Sequence, residues 1–547
     1  MKVLKKYTPT KLHLPLIMAT CLFAYSCGEH ESTSNENIYM EHSKDIAYTE
    51  YSEGEAACEE MVVDDMYYEE PNTEEYQKIQ ENAFKLAINE PLSTFSIDVD
   101  NASYTNVRRF LNDNMMPTPD AVRIEEMINY FDYNYENPTG KHPFSITTEL
   151  GNCPWNSENK LVHIGIQGKK IDYQDLKASN LVFLIDASGS MSDNNKLPLL
   201  KKSLGLLLDE LGDNDRIAIV AYAGSAGLVL PSTSATQKST ILNALDRIES
   251  GGSTAGGQGI QLAYDIAIEN LIKEGNNRII LATDGDFNVG TSGTDDLLEL
   301  IEEKRKQDVY LTICGFGMGN YKDEKMERIS NAGNGNYFYI DNIKEAEKVF
   351  VKDMRANMFT IAKDVKIQVE FNPSVVKSYR LIGYENRMLN NEDFADDKKD
   401  AGELGAGHTV TALYEIVLTD SDNAHLNDDL KYTERISKGN TEEVMSLKFR
   451  YKPIHSDKSV LIENKVVGIT ENTNLSDAFN FSSAVAGFGL LLRDSQYKGD
   501  LTYDKVIELA NGSKKFPNWE ADEYKQEFVR LVGTAKLLDQ SDNQLER

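Results

Sequence analysis

The sequence predicts an α/β protein in which a doubly wound, mainly parallel sheet is combined with a β-sandwich-like region and C-terminal helices. Two observations predict it. Between Asn180 and Phe359 short apolar runs alternate with segments of helical period, the pattern of strands laid side by side and connected by helices. Beyond Phe359 the period changes to two, and from Leu475 it returns to that of a helix.

The first strand is the clearest. Leu181-Val-Phe-Leu-Ile185 is an unbroken apolar run ending at Asp186, as expected of a parallel strand covered on both faces. Helical spacing follows at Leu197, Leu200, Leu204, Leu207, Leu208 and Leu211 and stops at Gly212-Asp213. Further strands are expected over 217–220, 278–281, 309–314 and 337–340, and helices over 241–248, 259–271, 297–303, 326–330 and 344–359. Downstream, 365–371, 409–417 and 445–451 alternate at period two and predict an all-β sandwich. The charged stretches 390–407 and 420–440 are expected to be mobile, solvent-facing loops. Helices over 478–493, 503–510 and 524–538 complete this region.

Upstream, Thr94 to Val99 alternates like a strand, and Asp98, Asp100 and Asn101 are expected to cap the helix bearing Val107, Phe110 and Leu111; calcium binding is the alternative, against which the Gly and distal Glu of an EF-hand loop are missing. A second helix carries Val122, Ile124, Met127, Ile128 and Phe131, and strands return over 144–167, where His163 reads as a strand residue, not a ligand. Strand-like sequence therefore flanks the α/β segment on both sides, so that segment reads as an insertion into a β-rich unit.

A chain of 547 residues exceeds what one core usually supports, so two or three folded units are expected. With 57 Lys+Arg against 88 Asp+Glu and a formal charge of −31, and no basic patch, nucleic acid is excluded as a partner. Lys2, Lys5 and Lys6 precede an apolar run from Leu14 to Ala24, the pattern of an export signal. The run ends in Phe23-Ala24-Tyr25-Ser26-Cys27, which resembles the bacterial lipobox. That resemblance implies acylation of Cys27, although Ala24 and Tyr25 depart from the usual residues and plain signal cleavage is the alternative. Residues 28–90 are acidic and poor in aliphatic side chains, the composition of a disordered tether. Glu29 and Glu31 resemble surface-export signals of some Gram-negative lipoproteins, implying an outer-membrane, surface-exposed location in the cell envelope. Cys58, Cys153 and Cys314 then form an odd set without metal-type spacing, and Cys314 reads as a core residue. The expected boundaries are 1–27 for the signal, 28–90 for the tether, 91–178 for leading helices and strands, 179–360 for the α/β domain, 361–472 for the β-rich domain and 473–547 for the helical region.

The chemistry lies in three loops of the α/β segment. Asp186, Ser188 and Ser190 share the first, Thr254 lies in the glycine-rich second (251–257), and Asp284 lies in Ala282-Thr-Asp284-Gly285. Carboxylates and hydroxyls are the donors a hard cation needs, and Mg²⁺ takes about six oxygens. Gly189, Gly252 and Gly285 permit sharp turns and close approach. Taken singly, each loop also has a plain structural reading as a strand end, helix cap or turn. Competing chemistries fail on the same residues. Ser188 stands where an aspartyl-phosphate enzyme needs a second carboxylate, and Asp186 stands where Gly-x-Ser-x-Gly needs its first glycine. The loop at Gly251 lacks a P-loop lysine, and the eight histidines form no His-Glu-x-x-His motif.

The order Asp-x-Ser-x-Ser, Thr, Asp resembles the metal-ion-dependent adhesion site (MIDAS) of the von Willebrand factor A (VWA) family at all five positions. The resemblance implies a Rossmann-like VWA domain in which Ser188, Ser190 and Thr254 coordinate a divalent cation directly. Mg²⁺ is the first expectation, with Mn²⁺ and Ca²⁺ as alternatives; Asp186 and Asp284 would bind directly or through water. An open coordination position would accept an acidic side chain from a partner protein. The segments Ser93 to Tyr104 and Arg123 to Phe131 resemble bacterial VWA lipoproteins with an N-terminal segment and a C-terminal domain of unknown function, over roughly residues 90–540. The expectation is a non-enzymatic, lipid-anchored envelope protein that binds a protein partner. Its alternatives are a metal-dependent hydrolase using Asp286 as general base and a scaffold that needs no metal.

Overall fold

The computed structural model describes residues 74–98, 100–172, 176–252, 256–285, 294–319, 321–399, 401–421, 442–467, 475–516 and 519–545. All belong to one unit, 69–547. Cys27, the acidic stretch that follows it up to residue 73, and most of the 420–440 loop lie outside the described residues.

The chain enters through strands β1 (Lys85–Leu86) and β2 (Leu92–Ser96), helices α1 (Ala102–Asn112) and α2 (Ile124–Asn129), and strands β3 (Phe144–Asn152) and β4 (Lys160–Gly168). It then builds β5 (Ser179–Asp186), α3 (Leu197–Glu210), β6 (Arg216–Tyr222), β7 (Ala226–Ser234), α4 (Lys238–Asp246), α5 (Gly256–Glu269) and β8 (Asn276–Thr283). The α/β region continues with α6 (Thr294–Arg305), β9 (Tyr310–Phe316), α7 (Asp323–Ala332), β10 (Tyr337–Ile340), α8 (Ile343–Glu347) and α9 (Met354–Met358). Strands β11 (Thr360–Phe371), β12 (Val376–Ile382), β13 (Gly402–Gly405), β14 (Thr409–Leu418), β15 (Glu443–Pro453) and β16 (Val460–Val467) follow, then α10 (Asp477–Leu492), α11 (Tyr503–Gly512) and α12 (Glu523–Leu545).

The central sheet has the order β10-β9-β8-β5-β6-β7, parallel throughout except for the antiparallel edge pair β6–β7. Its doubly wound character follows from the apolar run read above. Leu181, Phe183 and Ile185 enter one core with α3 and α4, while Val182 and Leu184 enter the opposite core with α5, α6 and α7. Alternate residues of one strand thus meet helices on both sides. Strand β7 was not foreseen; as an edge strand it tolerates its Pro231. The single helix expected over 344–359 is broken by a π-turn over Lys348–Lys352, whose widened backbone keeps Val349, Phe350, Met354 and Met358 in one core.

Two further sheets form the β-rich unit, ordered β1-β12-β14-β4-β3 and β13-β11-β15-β16, with β2 paired to β11. They share a core in which Phe371 stacks on Tyr379 with ring centroids 4.1 Å apart. Strands from before and after the α/β region thus pair directly, β4 with β14 and β2 with β11, so the α/β region is inserted between β4 of one sheet and β11 of the other. The stretch 390–407 corrects the expectation of a free loop: it contains β13, whose Leu404 is fully buried against β11. Helices α1 and α2 join α10, α11 and α12 in a fourth core around Phe131, Phe481 and Phe528.

The expected cap at 98–101 is also corrected. Asn101 makes no side-chain capping bond. Asp100 instead accepts from the Tyr337 amide at 2.8 Å and, with Glu327, pairs with Arg387. Asp98 pairs with the same guanidinium at 3.3 Å. Nearby, Arg123 binds Glu126 and Asp323, and Arg108 binds Asp341, Glu345 and Glu527. Carboxylates of Asp100, Glu126 and Glu327 converge to within 4.8 Å around Arg123 and Arg387, forming an ion-pair seam between the inserted domain and its frame.

Arg123→Ala strands buried carboxylates on both sides of the seam, and urea titration should show a loss of about 3–5 kcal/mol; a loss below about 1 kcal/mol would mean the seam contributes little. Glu125 supplies a second test. Burial, with Glu385 beside it, pushes its carboxyl up to about 7. The folded form therefore retains a proton that the unfolded chain releases near 4.5, and stability falls as pH rises between those values. Glu125→Gln should match wild type at pH 4 and exceed it at pH 8, by at most about 3 kcal/mol; identical profiles would refute this.

Candidate functional site

Strand β5 is the point where the winding of the central sheet reverses, with β6 on one side and β8 on the other. Open α/β sheets bind ligands outside the strand C-termini at such a point. Asp186 is the last residue of β5, and Asp284 directly follows β8. The two carboxylates reach one place because neighbouring parallel strands end there in register, with Ile185 opposite Ala282.

Asp186 is fully buried and held on both oxygens. Its Oδ1 accepts from the Ser188 amide at 2.9 Å, and its Oδ2 accepts from the Tyr222 hydroxyl at 3.1 Å and the Thr283 hydroxyl at 3.2 Å. Burial raises its pKa; the bonds from Ser188 oppose that shift, and the charge of Asp284 adds to it. The Ser188 and Ser190 hydroxyl oxygens lie 3.1 Å apart. The loop's course is fixed by the Gly189 amide donating to the Gly252 carbonyl at 3.2 Å and the Gly251 amide donating to the Ala187 carbonyl at 2.8 Å. This brings the glycine-rich second loop against the first. Thr254 itself, and Asp286, lie outside the described residues.

Three residues were missed by sequence reasoning. Tyr222 and Thr283 sit at the ends of β6 and β8 and orient Asp186; their position at strand C-termini was the available signal. Lys196 carried none. Its ammonium donates to Asp284 Oδ2 at 3.2 Å and to the Ser190 carbonyl at 3.0 Å. Its stem is buried against Gly317, where a Cβ would stand 2.3 Å from Lys196 Cε and where φ is +75°, so only glycine leaves this path open.

Two buried carboxylates and two hydroxyls facing one loop form an all-oxygen donor set, which suits a hard divalent cation. Two close anions in a buried place also require compensating positive charge, and Lys196 supplies one unit. The chemistry of these side chains therefore fits a metal of the Mg²⁺ type.

This fold and these loops define a VWA protein, and sequence comparison agrees. The family model for the von Willebrand factor type A domain matches residues 180–352, one described as von Willebrand factor matches 70–163, and one described as the C-terminal part of uncharacterized protein YfbK matches 356–538. The chain belongs to the VWA family typified by YfbK. It is 43% identical over 475 residues to uncharacterized protein YfbK of Escherichia coli, covering 85% of this chain and 81% of that protein. It is 28% identical over 195 residues to uncharacterized protein sll0103 of Synechocystis, covering 36% of this chain and 45% of that protein. A solved von Willebrand factor type A protein from Catenulispora acidiphila is 17% identical with a TM-score of 0.39, covering 70% of this chain and 89% of that one. No helix among the described residues is long and apolar enough to cross a membrane.

Proposed function

We propose that the protein binds a partner protein through a divalent cation held by Asp186, Ser188, Ser190, Thr254 and Asp284, and that Cys27 anchors it by lipid to the bacterial envelope. The observation that carries the reading is the convergence of Asp186, Ser188 and Asp284 at the switch point of the sheet, with Asp186 fixed by three hydrogen bonds. A bound Mg²⁺ would supply a Lewis-acid centre able to take a carboxylate from a partner. The chain's own contribution is orientation. Tyr222 and Thr283 hold Asp186 in one rotamer, and the Ser188 amide fixes its other oxygen, so little conformational entropy remains to be lost on binding.

Lys196 sets the strength of the site, because its ammonium competes with a cation for Asp284. Calorimetry on the purified protein should show Mg²⁺ binding that Asp186→Ala abolishes and that Lys196→Met strengthens at least tenfold, as removal of a nearby like charge requires. Absence of heat with Mg²⁺, Mn²⁺ and Ca²⁺ alike would defeat the metal reading. For the partner, capture from envelope extracts should be lost on chelation and never seen with Ser188→Ala; capture indifferent to both would point to the fold serving as a scaffold.

A further inference from the structure

A second polar cavity, of about 210 Å³, lies where the inserted domain meets the β-rich unit. It is remote from the loops above, because Arg278 in its wall sits at the opposite, N-terminal end of β8 from Asp284. Ligand pockets for drug-sized molecules run to roughly 300–1,000 Å³, so this one suits a smaller guest.

Arg278 is the anomaly. It is 3% exposed, yet it forms no ion pair among the described residues. Its NH1 donates to the Thr312 hydroxyl at 2.6 Å and its guanidinium lies 5.7 Å from the Tyr310 ring centroid, while its Nε–H has no acceptor. Burial draws its pKa down to about 10 against the opposing charges of Tyr310 and Glu403, so it stays charged at neutral pH. The other buried arginines among the described residues, Arg108, Arg109, Arg123, Arg380, Arg387 and Arg493, all have carboxylate partners. A buried guanidinium without a close ion pair is costly, and it is suited to a carboxylate.

The remainder of the wall has the opposite character. Asp98 lines it and shares Arg387 with Asp100 and Glu327, three carboxylates to one guanidinium. Glu403 lines it too, accepting from Asn334 at 3.3 Å. The Asn331 side-chain oxygen, buried at the same wall, has no donor. Arg278 therefore lacks a close anion, and the rest of the wall offers oxygen acceptors to a cationic donor.

We propose that this cavity binds a small zwitterion of the free amino-acid class, its carboxylate on Arg278 and its ammonium toward Asn331, Glu403 and Asp98. The site is independent of the cation-binding loops, so either can fail without the other. The test is calorimetry on the purified full chain with glycine, L-alanine, L-serine and the remaining standard amino acids, with L-alaninamide and propionate as controls lacking one charge each. At least one amino acid should bind, EDTA should not change its affinity, and Arg278→Met should weaken it tenfold or more. Asn331→Ala, at a half-buried position that leaves the charge of Arg278 in place, should weaken it several-fold and serves if Arg278→Met does not fold. The proposal is overturned if no amino acid binds, if alaninamide and propionate bind as well as alanine, or if the folded variants retain wild-type affinity.

Discussion

Three guanidinium groups from outside the inserted domain, Arg108, Arg123 and Arg387, are buried against carboxylates of its α7 and of the turn into α8, and the placing of that domain depends on them. Each takes two or more carboxylates at once, a task that suits the planar fork of arginine and not the point charge of lysine. Such a pair adds little net stability over an apolar contact, but breaking it is expensive. The seam therefore acts chiefly on geometry: a domain free to rock on two connections is held in one register by directional, charge-assisted bonds.

The loops around Asp186 and Asp284 show the same logic on a smaller scale. A buried aspartate is held by three donors before any ligand arrives, and a single lysine balances its neighbour. Rigidity comes from the sheet, since Asp186 and Asp284 end adjacent strands whose lower parts are covered by helices on both faces. The glycine-rich loop contributes through backbone carbonyls and amides, and the glycine at 317 contributes by absence of a side chain.

Much of this was legible in the sequence, for identifiable reasons. Leu181 to Ile185 announced a strand buried on both faces because no polar residue interrupts it, and the Asp186 loop stood out because its oxygens stand at a strand end. What escaped was decided by contacts distant along the chain. Lys196 looks like an ordinary residue before a helix, and its burial depends on Gly317. Arg278 looks like a solvated charge at a strand start, and only the later β-rich unit covers it. Asp98 and Asp100 resemble helix caps because local sequence cannot reveal Arg387. Strand β13 was lost to the charges around it.

The core formed by α1, α2 and the last three helices has a further consequence. Phe131 meets Phe481 and Phe528 with ring centroids 5.0 and 5.7 Å apart, so residues near the start of the folded unit wait for those near its end. The central sheet needs only its own consecutive segments and can form early, whereas closure of the frame carries the loop entropy of nearly the whole chain. Assembly thus has a natural order, in which a finished α/β domain hangs from two open strands until the final helix arrives and locks it. A chain emerging from its N-terminus would complete its α/β domain first and acquire its rigid mounting last.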